Sequence, residues 1–296
     1  MQGRLVITGA GGQVGRCLAA EATRRGIPAL PLTSSQWDIA DADAGLRFVE
    51  RGDVVVNCAA LTAVDAAESD EDRAYAVNAD GAGNVARTCR DAGARLIHLS
   101  TDYVFGGGVS GGGVSGGRVP GGGRRPYDID DETGPISVYG RSKLAGEQAV
   151  HAELPAAHVV RTAWVYTGTG SDFVATMLRR AAGEGCVDVV ADQVGSPTYV
   201  VDLVGALIAI AAGRISAPLL HAANEGAASR FDLARAVFAG VGADIERVRP
   251  VTTDRHPRPA PRPAYSALSG RLSAAAGLTP LRPWRDALAA ALAATG

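Results

Sequence analysis

The sequence predicts an α/β fold in which a doubly wound parallel sheet is joined to a smaller C-terminal lobe. Short apolar runs alternate with helical stretches at the spacing of β-α-β units, which indicates a parallel sheet. A glycine-rich turn separates the first apolar run, residues 4–8, from the first helical stretch, residues 16–25. The 296 residues are 47% hydrophobic, and a chain of this size can bury a large core.

The turn after the first strand carries glycines at three-residue spacing, at Gly9, Gly12 and Gly15. Glycines there permit a tight turn and let the backbone approach a phosphate closely. The helix that follows offers free N–H groups and the positive end of its dipole to a pyrophosphate. We therefore predict a Rossmann-like dinucleotide site, the alternative being a glycine-rich turn without a ligand.

The second strand, residues 27–32, is followed by the polar residues 33–36 and not by an acid, since the first acid is Asp38. An acid at the end of this strand usually binds the ribose hydroxyls of NAD. Hydroxyl groups can instead bind a 2′-phosphate, so we favour NADPH as the cofactor and keep NADH as the alternative.

The third and fourth strands, residues 53–57 and 95–100, end in segments that suit a ligand. The third opens into the small residues of 58–62, where a cofactor can lie against the backbone. A helix over 68–92 links it to the fourth, which ends at Thr101. Ligands of doubly wound sheets bind at the carboxyl ends of the strands. We therefore expect the glycine turn, Ala59, Ala60 and Thr101 to line one crevice.

Residues 106–123 form an unusual segment in which eleven of 18 residues are glycine. Such a segment buries little surface and behaves as a flexible coil. Between a mobile flap over the substrate and an inert loop expansion, we favour the expansion. Replacing the insert by a short turn should then leave kcat nearly intact, and a large loss of kcat would contradict this interpretation.

The second half of the chain continues the alternation and then becomes less regular. A helix beginning at Pro135 is followed by a fifth strand, residues 159–163. Further on we predict a strand over 188–191 and helices over 173–183, 202–212, 230–241 and 284–294. We assign residues 1–163 to a cofactor-binding domain and residues 164–296 mainly to a substrate-binding lobe, with elements of the two interleaved.

Lys143 is the only lysine among 29 basic residues, and it follows Tyr139 by four positions on the predicted helix. Residues four apart share a helix face. An ammonium group favours the phenolate and lowers the pKa of a nearby tyrosine towards the range useful for general acid catalysis. Thr101 can hydrogen-bond the same carbonyl oxygen, so the three residues predict a nicotinamide-dependent carbonyl reductase or a related enzyme. The alternative is a leftover surface lysine beside a core tyrosine.

Composition and charge argue against several other classes of protein. The net charge of −2 argues against nucleic acid as a partner. The four cysteines and five histidines show neither metal-ligand nor disulfide spacing, so we predict no metal and a reduced, cytoplasmic setting. Arg4 leads directly into a strand, and the longest apolar run, residues 203–212, is too short to span a bilayer. We therefore expect neither a signal peptide nor a membrane partner.

Together these motifs resemble the extended short-chain dehydrogenase/reductase family. Finer motifs are similar to the dTDP-4-dehydrorhamnose reductases of that family, and they occupy residues 57–65, 100–105, 161–166, 192–198 and 262–268. The resemblance covers nearly the whole chain outside the glycine-rich insert. It implies that a monomer or homodimer reduces a dTDP-sugar substrate, dTDP-4-dehydro-L-rhamnose, to dTDP-L-rhamnose. Some relatives use magnesium, but Cys17 and Val201 stand where acidic ligands would be expected, which puts a metal in doubt.

The resemblance also implies roles for single residues. Cofactor contacts are implied along the crevice for Gly9, Gly12, Gln13, Val14, Asp38, Ile39, Ala59, Ala60, Leu61, Thr62 and Leu99. Substrate contacts are implied for Val64, Thr101, Asp102 and Trp164. Arg262, in the proline-rich run, is a candidate for the diphosphate, since bidentate arginine suits phosphate oxygens. Tyr139 would protonate the C4 oxygen as hydride arrives, and Lys143 would bind the nicotinamide ribose.

Two other functions remain open from the sequence. The first is an epimerase or a 4,6-dehydratase of the same fold. A dehydratase needs an Asp-Glu pair after the threonine, whereas Asp102 is followed by Tyr103. An epimerase would retain tightly bound NAD. The second is a regulatory subunit that binds the cofactor without turnover, against which the intact set of Thr101, Tyr139 and Lys143 argues.

Overall fold

The structure is a computed structural model that describes residues 3–106 and 125–295. Nearly all of the glycine-rich insert predicted over residues 106–123 lies outside the described residues. The expectation that it is an inert loop expansion therefore stays a prediction.

The N-terminal half alternates strands with helices, as the apolar periodicity predicts. The strands are β1 (Leu5–Thr8), β2 (Ala29–Pro31), β3 (Val54–Asn57), β4 (Arg95–Thr101) and β5 (His158–Thr162). The helices are α1 (Gln13–Arg24), α2 (Val64–Ser69), α3 (Glu71–Tyr75), α4 (Gly81–Ala92) and α5 (Val138–Glu153).

The single helix predicted over 68–92 is wrong in detail, because the chain is broken there twice. Asp70 ends α2 and caps α3, since its side chain accepts a hydrogen bond from the Arg73 backbone N–H at 3.2 Å. A π-helical turn, Ala76–Asp80, then widens the helix before α4. Such turns are frequent at functional sites, and this one presents Asn78 to the helix α5.

The C-terminal half adds short strands around three longer helices. The strands are β6 (Val165–Tyr166), β7 (Val187–Val190), β8 (Val194–Gly195), β9 (Thr198–Tyr199), β10 (Leu219–His221), β11 (Asn224–Glu225), β12 (Ala228–Ser229), β13 (Val248–Val251) and β14 (Leu281–Pro283). The helices are α6 (Phe173–Ala181), α7 (Val200–Ala211), α8 (Arg230–Gly240), α9 (Arg271–Ala275) and α10 (Trp284–Thr295).

Six parallel strands form the central sheet, in the order β10-β5-β4-β3-β1-β2. Alternate residues of a strand face opposite sides of the sheet. On one side, Ile7 and Val56 belong to a core cluster that includes Leu203 of α7. On the other side, Val55 packs in a second cluster with Val85 of α4. Helices thus cover both faces, which confirms the predicted doubly wound α/β fold.

The two halves of the chain are interleaved in the sheet. The strand β10 pairs with β5, with Leu220 opposite Val160, although it follows the predicted boundary at residue 163 by more than fifty positions. The core cluster beneath the sheet also includes Phe238 of α8 and Leu288 of α10. The division at residue 163 stays a prediction, but this core extends across it. Within residues 3–106 and 125–295, no helix is long and apolar enough to cross a bilayer.

Candidate active site

The glycine-rich turn packs directly against the carboxyl end of β3. Gly9 has a φ of +62°, and a Cβ on it would lie 2.6 Å from the Ala59 backbone nitrogen. A Cβ on Gly15 would lie 2.4 Å from the Gly9 carbonyl oxygen. Gly12 is the N-cap of α1 and its residue type supplies no capping side chain, so the first N–H groups of the helix are available to a phosphate.

A cavity of about 810 Å³ runs over this turn. Seven of the predicted cofactor contacts border it, namely Gly9, Gly12, Asp38, Ile39, Ala59, Ala60 and Leu61. Three hydroxyl-bearing residues, Thr33, Ser34 and Ser35, border the same cavity, and so does Arg73. The cavity thus offers backbone N–H, hydroxyl and guanidinium donors, which are groups that bind phosphate.

A second cavity, of about 400 Å³, shares Gly12 and Ala60 with the first. The remaining predicted site residues that border it are Gln13, Val14, Thr62, Val64, Leu99, Thr101, Asp102, Tyr139, Lys143 and Trp164. Residues from four strand ends and from α5 therefore meet in one space, as expected for the carboxyl edge of a doubly wound sheet. Arg262 is not among the residues that border either cavity.

The helix α5 positions Tyr139 and Lys143. Ser137 caps it by accepting a hydrogen bond from the Gly140 N–H at 3.1 Å, and Glu68 accepts one from the Val138 N–H at 2.8 Å. Further along α5, the Ser142 hydroxyl accepts a hydrogen bond from the side-chain amide of Asn78 at 3.0 Å. The first turn of α5 is therefore held from its own cap, from α2 and from the π-helical turn.

Lys143 is 2% exposed, and its Nζ donates to the Leu99 carbonyl oxygen at 2.6 Å. Burial lowers the pKa of Lys143 to about 8, although the negative charge of Glu147 acts in the opposite direction. Glu147 itself is held by two hydrogen bonds from the Arg161 guanidinium, at 2.9 and 2.7 Å. Lys143 is thus a desolvated cation whose proton is weakly held.

Tyr139 is 9% exposed, and burial raises its pKa above the usual value for a phenol. A hydrogen bond with Thr101 opposes that rise but does not cancel it. The expectation that Lys143 lowers the pKa of Tyr139 is wrong for this structure. The ammonium is turned to the Leu99 carbonyl, while loss of water around the phenol dominates.

Asp102 is a carboxylate buried to 2% exposure beside Thr101. The Ser266 hydroxyl donates to it at 2.5 Å and the Thr101 hydroxyl at 3.2 Å. Burial nevertheless raises the pKa of Asp102 to about 6. The bond from Ser266 joins two segments that are 164 residues apart in the sequence, so Asp102 is held by the C-terminal half.

Trp164 lies in an unusual backbone conformation, with a φ of +45°. Gly195 lies against its ring, where an added Cβ would be 2.4 Å from the Trp164 Cε2 atom. The guanidinium of Arg230 covers the ring at 3.5 Å from its centroid. The strained tryptophan is therefore held in place by contacts with Gly195 and Arg230.

Arg230 is a site residue that sequence reasoning missed. It borders the second cavity, and within the described part of the chain no carboxylate forms an ion pair with its guanidinium. Burial lowers the pKa of Arg230 to about 10. Arg230 merely begins α8 after the Ser229 cap, and no local pattern in the sequence distinguishes it from the other arginines.

Arg262 is placed differently from the prediction. Its guanidinium donates to both carboxylate oxygens of Asp65, at 2.6 and 2.9 Å, and to the Ala260 carbonyl oxygen at 2.7 Å. A bidentate ion pair occupies the donors that a diphosphate would need. The structure thus makes Arg262 a tie between the proline-rich segment and α2.

Residues 3–106 and 125–295 contain no group of three acidic, histidine or cysteine side chains that could hold a metal ion.

Comparison with known proteins identifies the family. The family model described as RmlD substrate binding domain matches residues 3–296. The dTDP-4-dehydrorhamnose reductase of Mycolicibacterium smegmatis is 62% identical over 295 residues, which are 99% of this chain and 86% of the relative. A dTDP-4-dehydrorhamnose reductase structure from Clostridium acetobutylicum superposes with a TM-score of 0.87 at 34% identity, covering 99% of both chains.

A structure of the Bacillus anthracis dTDP-4-dehydrorhamnose reductase in complex with NADP has a TM-score of 0.86 and 34% identity. It covers 97% of this chain and 98% of its own. The predicted resemblance is therefore confirmed. The chain belongs to the RmlD family, that of the dTDP-4-dehydrorhamnose reductases.

Proposed function

We propose that this protein reduces the C4 ketone of dTDP-4-dehydro-L-rhamnose with NADPH and so forms dTDP-L-rhamnose. One observation carries the proposal. Thr101, Tyr139 and Lys143 border a single cavity that adjoins the dinucleotide-shaped cavity at Gly12, in a chain 62% identical to a reductase of that name.

The residues around the second cavity can carry out the proton chemistry of a ketone reduction. When bound, NADPH would supply the hydride. The raised pKa of Tyr139 keeps its phenol protonated at neutral pH, so the proton is present when the C4 oxygen requires it. Thr101 can donate a hydrogen bond to the same oxygen and hold the carbonyl against the phenol. Lys143, as a buried cation next to the cofactor cavity, would hold a ribose hydroxyl.

The sugar nucleotide would lie on the side of the cavity formed by Val64, Asp102 and Trp164. We assign its diphosphate to Arg230 and not to Arg262. The Arg230 guanidinium is half-buried and stacked on Trp164, and within the described residues it forms no ion pair, although the charge of Asp102 acts on it, so its donors are available to a diphosphate.

The preference for NADPH is supported by the polar residues that border the first cavity after β2. Thr33, Ser34 and Ser35 follow β2, where an NAD-specific site usually has an acid. Arg73 borders the same cavity and can supply positive charge to a 2′-phosphate. NADH remains the comparison cofactor for every assay.

The decisive test is the consumption of NADPH with dTDP-4-dehydro-L-rhamnose, with the sugar product identified by NMR. We expect stoichiometric oxidation of NADPH and formation of dTDP-L-rhamnose. Tyr139→Phe should bind NADPH as the wild type does and lose turnover, because it cannot donate the proton. Absence of NADPH consumption by the wild type would refute the proposal. Bound NAD and isomerised sugar without net oxidation would instead indicate an epimerase.

A further inference from the structure

A line of buried polar side chains leads from the first strand to Lys143, and the proposed reaction uses only its last member. The Thr8 hydroxyl donates to Asn57 Oδ1 at 2.6 Å, and Asn57 Nδ2 lies 3.0 Å from His98 Nδ1. His98 Nε2 in turn lies 3.5 Å from Lys143 Nζ. Thr8 and Asn57 have no solvent exposure and His98 has 1%. These groups can therefore act only on one another and on Lys143.

The orientation of the Asn57 amide follows from what its oxygen accepts. Besides the Thr8 hydroxyl, Oδ1 accepts the Ala59 backbone N–H at 3.1 Å, so the NH₂ end must face His98. An amide NH₂ only donates, and His98 Nδ1 must therefore accept and carry no proton. Burial and the charge of Lys143 lower the pKa of His98 well below its usual value, which leaves the ring neutral. The single ring proton is then on Nε2.

We infer that Asn57 and His98 are positioning residues that favour the neutral amine of Lys143, because they present an N–H donor to it. An ammonium group has only donors and cannot accept from His98 Nε2–H, whereas a neutral amine can. Burial by itself lowers the pKa of Lys143 to about 8, so the neutral amine is accessible close to neutral pH.

The other ionisable groups around this pair do not reproduce the effect. On α5, Glu147 favours the ammonium, and its charge is shared with Arg161 of β5. Cys58, in the loop after β3, would favour the ammonium only as a thiolate, and burial raises its pKa to about 12. His151 acts on His98 and not on Lys143, and Tyr139 is a neutral phenol. Burial and the donor from His98 thus act together against the charge of Glu147.

This inference rests on the proposed function for its consequence. After Tyr139 has given its proton to the C4 oxygen, the phenolate must be reprotonated. A Lys143 ammonium with a weakly held proton can return it, which leaves a phenol and a neutral amine that His98 stabilises. The amine then regains a proton from water, and no other reactant is needed.

The tautomer can be read without any substrate. In full-length protein labelled with ¹⁵N-histidine, long-range ¹H–¹⁵N correlation spectra distinguish protonated from bare ring nitrogens. His98 is identified among the five histidines by its loss in His98→Leu. We expect Nε2–H with a bare Nδ1 in the wild type. In Asn57→Asp the new carboxylate should draw the proton to Nδ1. A wild-type ring protonated on Nδ1, or on both nitrogens at neutral pH, would overturn the inference.

The pH profile of kcat/KM tests the effect on Lys143. In His98→Leu, removal of the opposing donor should move the alkaline limb up by about one pH unit. In Asn57→Asp, the unprotonated Nε2 of His98 can accept a hydrogen bond from the Lys143 ammonium. The alkaline limb should therefore move in the same direction. A purely structural role predicts no shift, or a downward one from added apolar burial, and either result in both variants would overturn the inference.

His158→Leu is the matched control, because His158 is also buried but its Nδ1 contacts the Ala217 carbonyl in the segment before β10. Its profile should match that of the wild type. If the wild type does not consume NADPH with the named substrate, the proposed function fails while the tautomer remains decided by NMR. If it does and the profiles of His98→Leu and Asn57→Asp do not move, the inference fails alone.

Discussion

Arginines 230 and 262 carry the same side chain in two different surroundings. Both side chains are at least partly shielded from water. Arg262 forms a bidentate ion pair with Asp65, whereas Arg230 stacks on Trp164 and forms no ion pair with a carboxylate of the described residues. The negative charge of Asp102 acts on Arg230 without forming an ion pair, so the donors of this guanidinium stay available to an anionic ligand. At this scale the structure separates an arginine that borders the cavity from one that forms an ion pair with α2.

We expect Arg230→Lys to raise the KM for the sugar nucleotide about 10-fold or more, with the KM for NADPH unchanged. Lysine keeps the charge but loses both the stack on Trp164 and the bidentate geometry. Arg262→Lys is the matched control and should leave both KM values near those of the wild type while lowering the melting temperature. Steady-state kinetics with each substrate varied in turn decide the point, and equal effects of the two substitutions on KM would contradict the assignment.

Asp102 makes the stability of the protein depend on pH. Its pKa is raised from 3.8 to about 6 on folding, so the folded state holds a proton that the unfolded state releases more easily. Stability is therefore lost as pH rises from about 4 to about 6. We expect Asp102→Asn to be more stable than the wild type by about 2–3 kcal/mol at pH 7 and nearly equal to it at pH 4.

Urea unfolding at the two pH values measures that difference. The same substitution should lower kcat/KM, because Asp102 borders the cavity beside Thr101 and accepts its hydroxyl. The site would then retain an unfavourable buried carboxylate for the sake of activity. A variant that is less stable than the wild type at pH 7 would show that the hydrogen bond from Ser266 outweighs the cost of burial.

At the scale of elements, the close approach of α5 to the π-helical turn sets the position of Tyr139 and Lys143. Gly146 of α5 faces that turn, and a Cβ added to it would lie 2.1 Å from the Asn78 carbonyl oxygen. The Asn78 side chain holds the cofactor-side loop through the Leu61 N–H at 2.8 Å and α5 through Ser142 at 3.0 Å. One short turn therefore links the cofactor cavity to the helix that carries the proton donor.

Gly146→Ala should destabilise the protein by about 1–3 kcal/mol and also lower kcat, because α5 must move away from the π-helical turn. Gly205→Ala is the control, since Gly205 lies inside α7 and an added Cβ there meets nothing within 4 Å. That change should stabilise the protein by about 0.5–1 kcal/mol and leave kcat unaltered. Denaturant unfolding and initial rates separate the two; equal stability of both variants would contradict the packing argument.

At the scale of the whole molecule, the cofactor half does not contain its own complete core. The sheet takes β10 from the C-terminal half, and Ile7, Val54 and Val56 pack in one cluster with Leu203 and Leu207 of α7. Removing α7 and the other C-terminal helices would expose one face of the parallel sheet. A parallel sheet is normally covered on both sides.

A fragment of residues 3–163 should therefore fail to fold cooperatively. We expect poorly dispersed amide NMR signals and no sigmoidal urea transition, against a single transition for the full chain. A fragment with a sharp transition and measurable affinity for NADPH would show that the cofactor domain is independent after all.

The features that could be predicted from the sequence depend on residues close together in the chain. The buried strands, the glycine turn and the spacing of Tyr139 and Lys143 all follow from periodicities of two to four residues, and the parallel sheet follows from the alternation of strands and helices. Boundaries were displaced where a side chain such as Asp70 caps a new helix, because a single hydrogen bond decides such an end.

The contacts that complete the site join residues far apart in the chain, and no local sequence pattern predicts them. The hydrogen bond from Ser266 to Asp102 joins residues 164 positions apart, and the ion pair of Arg262 with Asp65 joins residues 197 positions apart. The tautomer of His98 depends on an amide 41 residues away. Composition and spacing thus identify which groups can do the chemistry. Their charge states, and which arginine is left free for the substrate, are set by burial and by partners that only the folded chain brings together.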